Sequence, residues 1–231
     1  MILLLASQFD QQVLRLAECW AKHEACVLTA RDLSREGWVF SADVPDRWIG
    51  MAGDRIFDAS DLTGVLNCLP EVNEQELGHI VPEDRTYVAA EMNAFLLSWQ
   101  SRLSCPIINR PTPGCLFGPA WKMEKWVLTA AALGIPVLSM ERSSRQAQAV
   151  PAKALEETLA VTVIGDTVIA DDTETGRWAK LLARAARMTA ATFYFRSPSQ
   201  PDFVGVNLRP DLDNHVVRDA LLRCFEVSTA C

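Results

Sequence analysis

Residues 2–6 of this chain are apolar without interruption, and residues 25–29 and 62–69 are runs of nearly the same kind. Apolar runs of this length read as strands covered on both faces, the situation of strands in a parallel sheet. Between the first two, residues 9–22 place Val13, Leu14, Leu16, Ala17 and Trp20 at helical spacing. Two parallel strands need a crossover of about a dozen residues, and this segment supplies it. Such a unit packs as a right-handed crossover. The first half of the chain is therefore constrained to an α/β layer built on a parallel sheet.

The second half has another pattern. Residues 158–164 and 167–170 flank Gly165-Asp166, which predicts a hairpin with a tight turn. Residues 176–188 predict an amphipathic helix, with Trp178, Leu181, Leu182, Ala185 and Met188 inward and Arg177, Lys180, Arg184 and Arg187 outward. Strands are expected at 192–195 and 203–207 and a closing helix at 215–225, which makes this half α+β with antiparallel pairing.

The middle of the chain joins the two. Short strands are expected within 31–61, and residues 71–83 are acidic and loop-like. Asp84 is placed to cap a long helix ending near Leu103, with Tyr87, Val88, Glu91, Phe95, Leu96, Trp99 and Leu103 setting its period. Glu91 reads either as a boundary carboxylate paired with an arginine or as a base. Residues 105–113 then end a strand in Asn109-Arg110 and a stiff Pro-Thr-Pro; each proline fixes its own φ and biases the residue before it. Binding crevices in open α/β sheets lie beyond the carboxyl ends of strands, so a ligand cleft is expected here. A helix over 121–133 stops at Gly134 and Pro136, followed by a strand at 136–139 and a polar linker at 142–150. The expected domains are 1–112, a connecting segment 113–150, and 151–231.

Bulk properties narrow the function. The 231 residues carry a formal net charge of −7 and no dense basic block, which disfavours nucleic acid as the main ligand. A small anion such as a nucleotide remains compatible through a local Lys/Arg cluster. The seven cysteines include no C-x-x-C pair and His23, His79 and His215 are scattered, so zinc-site spacing is absent and free thiols in a reducing compartment are expected. The run at 2–6 lacks a basic flank and is too short for a secretory signal. No run approaches a membrane span; a cytoplasmic protein is expected. The turn after the first strand, Ala6-Ser-Gln-Phe9, has no glycine for close pyrophosphate approach. Trp38, Trp48, Trp121 and Trp126 fall near predicted loops or helix starts, as interface anchors do, whereas Trp20, Trp99 and Trp178 read as core.

The order of these parts resembles the ATP-grasp superfamily, the fold of carboxylate–amine ligases such as the ribosomal-protein glutamate ligases. Four features carry the resemblance: the parallel layer before Asn109-Arg110-Pro111; a Lys-containing helix running into Gly134-Ile-Pro136; the hairpin Val161-Thr-Val-Ile-Gly-Asp-Thr-Val168; and Val206-Asn-Leu-Arg-Pro210, similar to the terminal E-V-N-x-x-P motif. The resemblance implies a Rossmann-like (pre-ATP-grasp) parallel-sheet domain and a small ATP-grasp-like α+β domain. It implies ATP and Mg²⁺ as cofactors if the protein is active. Lys122 or Lys125, and Lys153, would hold phosphate, unless they are solvated surface lysines. Asn207 would hold the metal. Asn109, Arg110, Arg209 and Asp211 would face substrate; Arg209 could instead pair with Asp211 or Asp213.

The sequence departs from the family where the chemistry is done. The acidic position two residues before Asn207 is Gly205, and Phe193-Tyr-Phe195 stands where an acidic metal ligand is expected. No glycine lies between Gly134 and Gly165 to form a flap over phosphates. Two readings follow: a protein that kept the fold without the ligase chemistry and binds a protein or peptide partner, or a compact ATP-dependent carboxylate–amine ligase acting through an acyl-phosphate. A third is a cysteine nucleophile at Cys105 or Cys115. A homodimer through the N-terminal layer is a further expectation.

Overall fold

A computed structural model describes residues 1–41, 48–138, 158–196 and 201–226. It divides into two compact units, one of residues 1–120 together with the chain from Asp211 onward, the other Trp121–Pro210. The helix expected to close the C-terminal domain thus belongs to the first unit, and the connecting helix expected at 121–133 belongs to the second.

The first unit is built on a parallel sheet of β1 (Ile2–Leu5), β2 (Cys26–Leu28), β5 (Gly64–Asn67) and β6 (Ile107–Ile108), in the order β2-β1-β5-β6. Every residue of β1, β5 and β6 is buried, as their largely apolar character favours, with Asn67 at the end of β5 the polar exception. Helix α1 (Gln11–Cys19) makes the first crossover and starts at Asp10, whose carboxylate accepts the N–H groups of Gln12 and Val13. A short α2 (Ala30–Leu33) opens with a reciprocal box between Thr29 and Asp32. Among the described residues, the strands expected within 31–61 are one antiparallel pair, β3 (Ile49–Ala52) with β4 (Arg55–Asp58).

Helix α3 (Arg85–Ser101) buries Ala89, Met92, Leu96, Trp99 and Gln100. Asp84 stands at its start without a side-chain capping bond. Helix α6 (His215–Glu226) buries Val217, Ala220, Leu221 and Phe225. The Phe225 ring lies where any side chain at Gly64 would be: a Cβ there would come 2.1 Å from the ring.

The second unit is an antiparallel sheet of β7 (Thr158–Ile164), β8 (Thr167–Ile169), β9 (Ala190–Arg196) and β10 (Phe203–Asn207), in the order β10-β9-β7-β8. The predicted hairpin is the β7–β8 pair, with Ile164 opposite Thr167 and Gly165 at positive φ, the first central position where such turns place glycine. Helices α4 (Met123–Ala132) and α5 (Thr173–Ala185) share a core with one face of this sheet, including Trp126, Ala130, Trp178, Leu182, Val161, Val163, Phe193, Phe195 and Phe203. Helix α5 begins three residues before the sequence pattern suggests, because the Asp172 carboxylate takes the Thr175 N–H. Of the strand expected at 136–139, the described residues form a single bridge, from Val137 to Phe203. The linker at 142–150 lies outside the described residues.

The exposed-anchor reading of the tryptophans is overturned for two of them. Trp48 and Trp126 are each 2% exposed: Trp48, directly before β3, packs into the first unit's core, and Trp126 lies on the buried face of α4. Trp38 and Trp121 are half-buried.

Candidate functional site

The sheet of the second unit turns one face to the core it shares with α4 and α5; on the second face, a Cβ at Gly205 would meet Met123 of α4 at 3.4 Å. Alternation along each strand fixes which side chains share that second face. Thr162 lies opposite Thr192, and Thr192 opposite Asn207, so these three form one row. The hydroxyls of Thr162 and Thr192 are hydrogen-bonded at 2.8 Å. One step along, Gly205 lies opposite Tyr194, after a register shift between Phe203 and Gly205. Phe193 and Phe195 are fully buried on the helix side. A carboxylate at either of those two positions would have faced the core; the position that faces Asn207's side of the sheet is Tyr194.

Asn207 is exposed at the end of β10, and its Oδ1 accepts the Arg209 N–H at 3.0 Å. Its same-face neighbours are a glycine, a threonine and a tyrosine. Asp202, the nearest acid in this unit's chain, faces Arg196 at 3.8 Å, and its backbone carbonyl accepts the Arg196 N–H. Among the described residues no group of three His, Cys, Asp or Glu side chains could hold a metal ion. Mg²⁺ takes hard oxygen ligands, usually with one or two carboxylates. The row around Asn207 offers only neutral oxygens, one of them already accepting a backbone bond, so the described residues do not fit this metal.

Helix α4 carries the first two candidate phosphate lysines. Lys122 is its exposed N-cap, and Lys125 is exposed with its ammonium 4.2 Å from the centre of the Trp121 ring. Trp121 in turn packs on Trp126 at 4.8 Å. The Lys125 charge therefore rests on an indole face. Lys153 lies outside the described residues.

The other candidates lie in the first unit, apart from Arg209, which belongs to the second. Asn109 ends β6 in the left-handed region at φ 55° and is buried; Arg110 beside it is exposed. Asparagine adopts that conformation more readily than most residues. The Asn109 carbonyl accepts from Asn67 Nδ2 at 3.4 Å, and the same amide donates to Gln100 Oε1 at 2.8 Å. This buried amide cluster at the carboxyl ends of β5 and β6 was not legible in the sequence, since Asn67 stands inside an apolar run and Gln100 in a helix period. Asp211 accepts from Gln12 and from the Asp213 N–H, and Asp213 forms an ion pair with Arg15 at 3.0 Å. Arg209 is half-buried.

The two cysteines weighed as nucleophiles are held as thiols. Burial pushes Cys105 up to about 11 and raises Cys115 as well, the reverse of what a reactive thiolate needs. Glu91 is exposed and makes no ion pair among the described residues, so its expected pairing with an arginine is not found.

No protein-family model and no curated protein sequence matches the chain. Solved structures do. The macrocyclase MdnC from Microcystis aeruginosa MRC, bound with the precursor peptide MdnA, aligns with a TM-score of 0.68 at 10% identity, over 99% of this chain and 100% of that one. The ATP-grasp ligase PsnB, complexed with a minimal precursor, Mg and ADP, aligns at 0.65 and 13% identity, over 97% and 98%. A RiPP-associated ATP-grasp ligase from Chryseobacterium gregarium, in complex with ADP and a leader and core peptide, aligns at 0.63 and 9% identity, over 98% and 95%. The fold is that of the ATP-grasp ligases. Asn207 ends the last strand of the small sheet, and the positions beside it hold Gly205, Thr192 and Tyr194.

Proposed function

We propose that this chain is an ATP-grasp-fold protein that has given up ligase chemistry and acts by binding a peptide or protein partner. One observation carries the reading. The row Thr162–Thr192–Asn207, with Gly205 and Tyr194 beside it, contains no carboxylate, and the Asn207 oxygen is taken by the Arg209 N–H. Acyl-phosphate formation from ATP needs metal-bridged phosphates and cations to neutralise the developing charge. The Trp121-bound Lys125 and the solvated Lys122 are a weak phosphate cradle. The similar structures that contain precursor peptides favour a peptide as the class of partner. A cytoplasmic setting belongs to this reading; among the described residues no helix is long and apolar enough to cross a membrane.

Titration calorimetry with ATP and ADP, each with Mg²⁺ and with chelator, tests the proposal. Absence of metal-dependent binding is the expected result. Micromolar, Mg²⁺-dependent binding, followed by phosphate release when peptides bearing carboxylates and amines are added, would establish the compact ligase in its place.

A further inference from the structure

Helix α3 is unusual for a helix with a solvent side. Arg85 and Glu91 are its only charged residues over Arg85–Ser101, and Arg85 is turned back onto the carbonyls of Ile80 and Gly78. Its exposed positions are otherwise Thr86, Tyr87, Ala90, Ala94, Ser98 and Ser101. An ordinary solvated helix face carries charged residues of both signs, and depletion of charge is the compositional mark of an interface core. Beside this face runs a groove of about 300 Å³ lined by Leu33, Trp38, Glu91, Met92 and Phe95.

The groove has rigid walls. The Trp38 indole donates to the Asp32 carbonyl at 2.9 Å and meets Phe95, Trp99 and Phe57 edge-on at 5.6, 6.0 and 6.1 Å. Phe95 stacks on Trp99. Aromatic and aliphatic walls, with a carboxylate at the rim that makes no ion pair among the described residues, are the chemistry of a site for a cation on an apolar stem. We infer that this groove docks a peptide segment that presents a lysine or arginine beside apolar side chains, the cation reaching Glu91 and the stem lying against Trp38 and Phe95. A second copy of this chain suits it poorly. An antiparallel α3–α3 pair across Ala90 and Ala94 would bring Glu91 against a helix with no basic residue between 86 and 101.

This inference rests on the reading of the protein as a peptide-binding one, and its test separates the two. A short amphipathic leucine–lysine peptide and its leucine–glutamate counterpart are titrated while the Trp38 indole N–H is followed by NMR. The lysine peptide is expected to bind and shift that signal, and the glutamate peptide to leave it in place. Glu91→Gln should weaken binding about two- to five-fold, the range for one exposed ion pair. Ala94→Arg, on the exposed face, should abolish it. Glu18→Gln, the same charge change on exposed α1, is the control for general attraction by an acidic protein. Equal loss from Glu18→Gln and Glu91→Gln, or binding indifferent to Glu91→Gln, would overturn the site. So would a concentration-dependent dimer that Ala94→Arg dissolves. If Mg²⁺–ATP turnover is found while Glu91-dependent binding persists, the non-catalytic reading falls and the groove stands.

Discussion

The side-chain oxygen of Asn207 and the backbone N–H of Arg209, 3.0 Å apart, close an Asx turn where β10 ends. The residue that most resembles a metal ligand in the sequence is thus at work as a turn former. Asn207→Ala is expected to cost about 1 kcal/mol, the worth of one such bond. The loss should be the same with Mg²⁺ and with chelator when thermal melts are compared. A Mg²⁺-dependent stabilisation of the wild type that vanishes in the variant would return Asn207 to metal binding.

Gly64 and Phe225 make a second, purely steric prediction. A Cβ on Gly64 would lie 2.1 Å from the Phe225 ring, which also sits edge-on to Trp20 at 6.3 Å. Gly64→Ala should destabilise by about 1–3 kcal/mol through overpacking. Combined with Phe225→Leu, the alanine should cost measurably less, because the two sites share one space. Urea denaturation of the four variants of this cycle measures the coupling, and strict additivity would mean that α6 moves aside freely.

These two positions show what the sequence could and could not convey. Apolar runs identified β1 and β5 as covered strands and located β2, though Cys26 and Val27 there are only half-buried; the Gly165-Asp166 turn placed the hairpin, because both signals are local. The aromatic run 193–195 was harder. Its chemistry depends on which face each residue takes, and only the register with β10 reveals that Tyr194, not Phe193 or Phe195, shares Asn207's face. Trp48 is buried in the first unit's core directly before β3 and Trp126 on the face that α4 turns to its sheet; nearness to a loop or a helix start reveals neither. The placement of α6 with the first unit is a contact over more than a hundred residues of sequence and leaves no local trace.

The Asp213 carboxyl is held below the usual carboxylate range, first by the hydrogen bond from the Arg15 guanidinium and then by that from Gln12. A carboxylate depressed in the folded state contributes stability that is present above its unfolded value, about 3.9, and that is lost as pH falls through the folded value. Arg15→Gln should therefore lower stability at neutral pH, and the difference from wild type should shrink as pH drops below about 4. Melting temperatures across the acid range check this; a gap that persists unchanged at pH near 2 would show that Arg15 acts through packing instead.

Thiol reactivity should follow burial. Cys105 is 8% exposed and pushed up to about 11 by that burial, whereas Cys19 is exposed on α1. Under native conditions at mildly alkaline pH, iodoacetamide should label Cys19 well ahead of Cys105, with Cys105 modified only on unfolding. Peptide mapping by mass spectrometry distinguishes the sites. Rapid native labelling of Cys105 would restore the cysteine-nucleophile reading.

The buried amides of Asn67 and Gln100 make the sharpest test of the first unit's core. Asn67 Nδ2 donates to Gln100 Oε1 and to the Asn109 carbonyl, while Asn67 Oδ1 and Gln100 Nε2 have no protein partner among the described residues. Gln100 is fully buried and Asn67 4% exposed. A buried polar group left without its bond costs about 1–3 kcal/mol, whereas removing both partners together is close to neutral. Gln100→Met alone should therefore destabilise by that amount, since it strips the Asn67 amide of its shorter bond. Asn67→Leu with Gln100→Met should cost less than the sum of the single changes. The double variant also removes the donor to the carbonyl of Asn109, the residue held at φ 55°, so amide exchange should quicken around Arg110 even where global stability is regained. Stability recovered with exchange at Arg110 unchanged would show that Asn109 holds its turn without Asn67.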